Sequence, residues 1–438
     1  MSARIPDADR PQPSAAEAER TATFREVFAV GEFRALYLAS TLSWVGDSLA
    51  RAAVTALIYQ ATGSVVASAA SFAISYAPWL VGGPLLVALA ERHAYRSVMI
   101  LCDILRMVIM AAVAIPHLPP LAIIGLLLLA AVLTPPFDAA RSAMLPSVLS
   151  GDRYVVGLAV HAGTSQPALV IGYLIGAALA THHPQLALLI NAATFGLSAI
   201  VLRIGVRRRE AALVPAHRRR LTQEVFDGFR LVFGTPALRA IALLVFGAVT
   251  FAVVPEGLAA AWAADLTPRG PTGWVQGFIM ASVPLGFFIG GLLFTRLVPP
   301  ARRAALIRPF AICAPLALVP AVVNPPAPIV AVLGLVCGAS MGGLLPAANG
   351  LFVQGLPDAF RARAFGVMQA GMQLLQGGAV LATGVLVQVL PVSLPTLVGL
   401  WCAAGVVLMT TLAATWPSTR EFAEARAAAN AANTPATA

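Results

Sequence analysis

The chain has no lysine, and only 11% of its 438 residues are charged. A soluble chain carries about 25% charged residues, so this composition excludes a string of soluble domains. The basic excess, a net +10, is therefore all arginine. Such a balance can signal nucleic-acid binding. Here the arginines sit at the ends of apolar segments, with no interleaved basic and aromatic surface. Membrane topology explains them, and nucleic acid is not an expected partner. Cysteine is scarce: Cys102, Cys313, Cys337 and Cys402 lie in or beside apolar segments, with no Cys-x-x-Cys. That pattern excludes a disulfide framework and a cysteine metal site. A Gly-Lys phosphate loop, a His-Glu zinc motif and a serine elbow are also missing, which removes direct ATP drive and hydrolytic chemistry. We expect no enzyme, no cofactor and no metal. Residues 1–23 are polar, lack the apolar core of a secretory signal, and read as a disordered tail.

What is present is apolar: 59% of the chain. Hydropathy predicts spans near residues 33–60, 66–90, 97–116, 120–144, 154–181 and 184–203. After a gap come spans near 238–264, 273–297, 304–323, 327–350, 363–390 and 393–416. A short surface helix is expected over 24–33, and an amphipathic one within the 204–237 linker. This divides the chain into a tail (1–23), a bundle (24–203), the linker (204–237), a second bundle (238–416) and a tail (417–438). With the N-terminus inside, the cytoplasmic loops hold Arg92, Arg96, Arg153, Arg207-Arg208-Arg209, Arg218-Arg219-Arg220, Arg296, Arg302, Arg303, Arg308, Arg361 and Arg363. The opposite loops hold Arg269 with His117, His182 and His183. Both ends are therefore expected in the cytoplasm. The lysine-free, alanine- and arginine-rich usage suggests a bacterial, high-GC coding sequence.

The two bundles repeat one another. Residues 27–38 (VFAVGEFRALYL) align with 232–243 (VFGTPALRAIAL), Gly82-Gly83 with Gly290-Gly291, and 133–146 (LTPPFDAARSAMLP) with 344–357 (LLPAANGLFVQGLP). Three matches in chain order, at offsets drifting from about 205 to 211, describe parallel six-span repeats around a midplane site, a recurrent transporter design. The expected fold is an all-α membrane protein of twelve transmembrane helices in two pseudo-symmetric six-helix bundles.

At these residues the chain resembles the major facilitator superfamily, and within it the drug, macrolide and siderophore exporters. The resemblance covers about residues 25–416. It rests on SWVGDSLARAAVTALIYQATGS, GGPLLVALAERHAYRSVMILCDILR and PPFDAARSAMLPSVLSGDRYVVGLAV. The second stretch holds a loop signature built from Gly83, Glu91, Arg92 and Arg96, with Glu91 where aspartate is usual. The resemblance implies a charged cytoplasmic latch, with Asp138 as partner. Span 5 reads Gly172-Tyr173-Leu174-Ile175-Gly176-Ala177, without the proline and second glycine of many proton antiporters, and their span-4 arginine motif is absent.

Span 1 places Asp47 and Arg51 in hydrocarbon, four residues apart on one face. Intramembrane charge is costly unless it meets a partner or a wet cavity. Counting ~1.5 Å per residue from Arg34 and Arg239, Arg51 and Glu256 both lie ~26 Å in, and Asp47 ~20 Å. One expectation is an Arg51–Glu256 pair between the halves, closing an outer gate. The other is an Arg51–Asp47 pair, with Glu256 at the interface near Asp265. Burial and Arg51 act on Asp47 in opposite senses, so loss of Arg51 would let Asp47 couple transport to protons. Gln369, Gln373 and Gln376 share a face of span 11, facing the cavity or a neighbouring helix. Trp44, Phe72, Tyr76, Trp79 and Phe251 are candidate aromatic walls, and His161 and Gln166 possible cavity groups. Asp103 with Arg106, and Asp138 with Arg141, have pairing spacing and are assigned to the latch. The expected activity is export of a small amphipathic or apolar compound by a proton-coupled monomer. Import or facilitation of a nutrient is the alternative.

Overall fold

The computed structural model describes residues 22–78, 93–209, 221–268, 270 and 272–433. Most of the 1–23 tail, the second part of the expected 66–90 span, residues 210–220 and Arg269 lie outside the described residues. The same holds for Trp79, Gly83, Glu91 and Arg92.

The described residues are helical, with no strand among them. Thr23 caps α1 (Phe24–Ala29) by accepting from the Glu26 amide at 3.4 Å. A long α2 (Gly31–Thr62) follows. It stops at Gly63, whose left-handed φ of 62° favours glycine. Ser64 caps α3 (Val65–Ala73), accepting from the Ala67 amide at 3.2 Å. Then come α4 (Tyr95–Val113), α5 (Pro120–Val132), α6 (Thr134–Val148), α7 (Asp152–Ala180) and α8 (Pro184–Gly205). The amphipathic segment of the linker forms α9 (Leu221–Gly234). Beyond it lie α10 (Pro236–Ala252), α11 (Val254–Leu266), α12 (Thr272–Leu297), α13 (Pro300–Arg303), α14 (Ile307–Leu316), α15 (Ala327–Gln354), α16 (Arg361–Val389) and α17 (Leu394–Ala414). Finally α18 (Thr419–Asn433) gives helical structure to a region expected only as a tail.

Nine stretches among the described residues are long and apolar enough to cross a membrane, all lying within Pro120–Ala414. Helices α2, α3 and α4 occupy the places of the first three expected spans. Two expected single spans are broken by proline. Pro135 and Pro136 interrupt the 120–148 stretch at Leu133, and Pro255 interrupts 236–266 at Val253. Proline has no N–H to give and clashes with the carbonyl four residues back. The second break has a consequence for chemistry. It puts Glu256 in the first turn of α11, where the helix dipole favours an acid.

Glu32 at the start of α2 pairs with Arg209 at 2.6 Å and Arg207 at 3.4 Å. This ties α2 to the point where the chain leaves the first half. We call this the linker end, and the opposite one the far end. Within the first half, α7 lies backbone to backbone on α2: a Cβ on Gly176 would sit 2.7 Å from Leu49 Cα. At the far end one apolar core runs across both halves, joining Phe72, Tyr173 and Ala177 to Val254, Leu258 and Trp262.

Candidate functional site

Two cavities lie in the interior, on either side of a shared wall of Arg51, Tyr76, Leu169 and Gln376. The larger, about 360 Å³, belongs mostly to the first half and is lined by Trp44, Asp47, Arg106, Asn191 and Gln373 among others. The smaller, about 200 Å³, is bounded by the second half and reaches Gln166 and Glu256.

Between the halves stands Tyr173. Its hydroxyl donates to Glu256 Oε2 at 3.0 Å and accepts from Arg51 Nη1 at 3.4 Å. The close approach of α7 to α2 at Gly172 and Gly176 carries this ring into place, where it is fully buried. Arg51 also lies 5.7 Å over the Phe72 ring. Arg51 and Glu256 thus meet through a tyrosine, and no direct ion pair joins them among the described residues. Asp47 likewise makes no ion pair within 4 Å among the described residues. It faces the larger cavity, in the electrostatic field of Arg106 and Arg51.

Other cross-half bonds cluster at the same end. Gln276 Nε2 donates to Ala52 O at 2.8 Å and to Thr55 Oγ1 at 3.1 Å, and Ser64 Oγ donates to Gln388 Oε1 at 3.3 Å. These bonds, with that of Tyr173 to Glu256, all lie at the far end.

A second polar cluster lies nearer the linker end of the first half. Arg141 Nη2 donates to Asp138 Oδ1 at 3.1 Å and Nη1 to His161 Nδ1 at 3.3 Å. The guanidinium sits 5.8 Å over Trp44, which packs 4.3 Å from the His161 ring. The expected Asp138–Arg141 pair is therefore formed.

The expected Asp103–Arg106 pair is not formed among the described residues. Asp103, fully buried, accepts from Ser198 Oγ at 2.6 Å. Arg106 turns instead to the larger cavity, between the rings of Phe137 (5.3 Å) and Phe195 (5.4 Å). The two aromatic faces hold the guanidinium by cation–π attraction, and the Asp103 carboxylate is held by a hydroxyl instead. Arg96 donates to the Arg203 carbonyl, and Gly83, Glu91 and Arg92 lie outside the described residues.

Of the expected cavity residues, Trp44, Tyr76, Gln373 and Gln376 line the larger chamber, and Gln166 with Tyr76 and Gln376 the smaller. His161 lines a side pocket of about 190 Å³ beside Arg141. Phe251 does not line either chamber: it is buried, 5.8 Å from the Trp401 ring and packed on Gly405, which leaves room for a ring at that face. Gln369, one turn nearer the linker end than Gln373, lines neither. The sequence reading missed Tyr173, Gln276 and Asn191. Each is a polar side chain in an apolar helix and needs a partner, which was the available signal.

The family model described as Major Facilitator Superfamily matches residues 36–380. Solved structures with the same fold include a mutant of the nucleoside transporter NupG, with TM-score 0.73 and 12% identity, covering 88% of this chain and 100% of that one. A bacterial homolog of the human lysosomal transporter Spinster, inward-facing and unoccupied, matches with TM-score 0.67 and 14% identity over 92% of this chain and 99% of its own. A POT family transporter in complex with 5-aminolevulinic acid matches with TM-score 0.68 and 11% identity, over 86% and 94%. A search of curated proteins finds no match.

Proposed function

We propose, because this chain belongs to the major facilitator superfamily, a multi-pass secondary transporter that exports a small amphipathic compound in exchange for protons. In this reading α2, α3 and α4 complete a set of twelve spans in a bacterial plasma membrane. The linker end is cytoplasmic, as the arginine asymmetry requires. Two bundles then rock about the paired cavities, and the far end is the outer mouth.

The observation that carries this reading is Tyr173, bonded at once to Arg51 of one wall and Glu256 of the other. A hydrogen bond to a charged group contributes about 1.5–3 kcal/mol, enough to set which mouth is shut in an equilibrium of a few kcal/mol. Opening the far end must break this bridge, and a carboxylate that loses its donors takes a proton more readily. Asp47, facing the cavity without an ion-pair partner, is the second group placed to exchange a proton. The few charges in a largely apolar wall suit an amphipathic cargo.

The test labels a cysteine at the far-end seam. Thr181 lies against Gly273 of the other half, so Thr181→Cys in a cysteine-free background is shielded while that end is closed. Arg51→Glu and Glu256→Arg singly should raise labelling, and the double exchange should restore shielding. Equal labelling of all four proteins would discard the gate. Labelling of Asp47→Asn that still follows an imposed pH gradient would remove Asp47 from the coupling.

A further inference from the structure

We infer that the larger cavity is the seat of a ligand carrying one organic carboxylate, held by Arg106 and Arg51 against the Asn191 amide. This names the cargo class of the proposed transporter, and depends on that reading only in taking this cavity as the cargo site.

Unmet donors carry the inference. Arg106 is only 2% exposed, yet its Nε and Nη2 have no hydrogen-bond partner. Asn191 is fully buried and its Nδ2 is likewise unmet. Both residues line the same cavity. An unmet buried donor is costly, more so on a charged group, and protein interiors satisfy such donors with water, an ion or a bound ligand. Guanidinium presents a planar fork of donors, which carboxylate oxygens match two at a time.

Charge counting sets the ligand's valence. Among the described residues, Arg51, Arg106 and Asp47 are the charged groups in this wall, a net excess of one positive charge, while Glu256 lines the neighbouring chamber and reaches Arg51 only through Tyr173. A single carboxylate balances it, whereas a doubly charged phosphate would leave the chamber negative. Asp103 does not alter the count inside the chamber, because it lies outside that wall and accepts from Ser198. Its other oxygen, Oδ1, is also unmet. A small turn of Arg106 toward it is the competing account, a private ion pair with no ligand. The rest of the wall, including Val54, Met110, Leu127 and Phe195, is apolar, so the carboxylate should sit on an apolar or aromatic body.

The probes are 2-naphthoate and its uncharged isostere 2-naphthamide, titrated calorimetrically into the full chain in nanodiscs. The acid should bind at least about tenfold tighter than the amide, since its two charged oxygens meet the cationic donors that the amide meets with one neutral carbonyl. Arg106→Gln should abolish that preference, while Arg106→Lys should keep part of it. Melting each variant in parallel shows whether it folds, and the wild-type comparison of acid with amide stands even if Arg106→Gln does not. Equal binding of acid and amide, no binding of the acid, or a preference that survives Arg106→Gln would overturn the proposal. The last result would point to the Asp103–Arg106 pair. Shielding of Thr181→Cys is read on the same preparations. A lost preference with an intact gate removes the anion site alone, and a lost gate with an intact preference removes the transport reading alone.

Discussion

The two halves carry matching stretches of sequence in the same order but bury different things. The first encloses Asp103, Arg106, Asn191 and a run of serines and threonines, while the second buries Gln276, Ser282, Ser340 and Thr383 among aliphatic and aromatic side chains. In the internal alignment, at the offset of Gly83 to Gly291, Asp103 and Arg106 fall opposite Ala311 and Ala314, both fully buried in the apolar core. Where charge is buried it lines or borders a cavity; where it is absent the helices pack closely, as α12 and α15 do through Gly290 and Gly338. The difference separates a half that buries charge beside the larger cavity from a half that packs more closely.

Exchanging the contents of the two positions should give the largest effect. Ala314→Arg forces a guanidinium into a core with no cavity beside it, at about 3 kcal/mol or more, a large share of a marginal stability. No monodisperse protein should be recovered by size-exclusion chromatography. The reverse change, Asp103→Asn with Arg106→Gln, removes both charges together and should melt within about 4 °C of the parent. If Ala314→Arg folds normally, the asymmetry of the halves has no energetic meaning.

The junction comes next. Tyr173→Phe deletes one hydroxyl and with it the bond to Glu256 across the halves and the bond to Arg51 within the first half. At about 1.5–3 kcal/mol for a bond to a charged group, the far-end-open population should rise roughly tenfold or more, read as the labelling rate of Thr181→Cys. An unchanged rate would mean that the apolar core of Phe72, Val254 and Trp262, with the bonds from Gln276 and Ser64, shuts that end without the tyrosine.

A smaller pair of changes compares like with like. Ser198→Ala takes the resolved donor from Asp103, leaving a buried carboxylate short, and should cost about 1–3 kcal/mol. Ser340→Ala in the second half removes only a bond to the Val336 carbonyl of its own helix, at 3.0 Å, and should stay within about 0.5 kcal/mol. Chemical denaturation of the two variants in detergent measures the contrast.

Much of this was legible in the sequence, and the limits have physical causes. Span positions followed from long apolar runs, because hydrocarbon leaves a helix no alternative. Their interruptions at Leu133 and Val253 follow from Pro135, Pro136 and Pro255, which a hydropathy window averages away. Asp47, Arg51 and Glu256 stood out because charge is rare in a span, and the structure gathers them around two adjoining cavities. What links two of them did not stand out. Tyr173 reads as an apolar ring until its hydroxyl has somewhere to point, and that depends on how closely α7 approaches α2 at its own Gly172 and Gly176. Asp103 and Arg106 show the opposite error. Three-residue spacing permits a pair, but Ser198, Phe137 and Phe195 compete from other helices, and local spacing cannot weigh them.

The smallest effect lies outside the membrane, where the second half does use a carboxylate. Glu421 accepts from the Ser418 amide at 2.7 Å and its hydroxyl at 2.9 Å, and its own amide donates back to Ser418 Oγ at 3.3 Å. This is a capping box at the start of α18. The backbone and side-chain bonds from Ser418 hold the Glu421 carboxyl below its ordinary value of 4.5. A depressed acid contributes stability that is complete above the unfolded value and lost as pH falls through the lower, folded one. Hydrogen exchange over residues 419–425 should therefore quicken as pH drops below the ordinary glutamate range, after correction for intrinsic rates. Glu421→Gln should exchange with little such dependence, because the amide stays neutral throughout. Neither change should alter Thr181→Cys labelling or the preference for naphthoate. If either does, α18 is coupled to the gate, and the division between a chemical half and a packing half must be redrawn to include it.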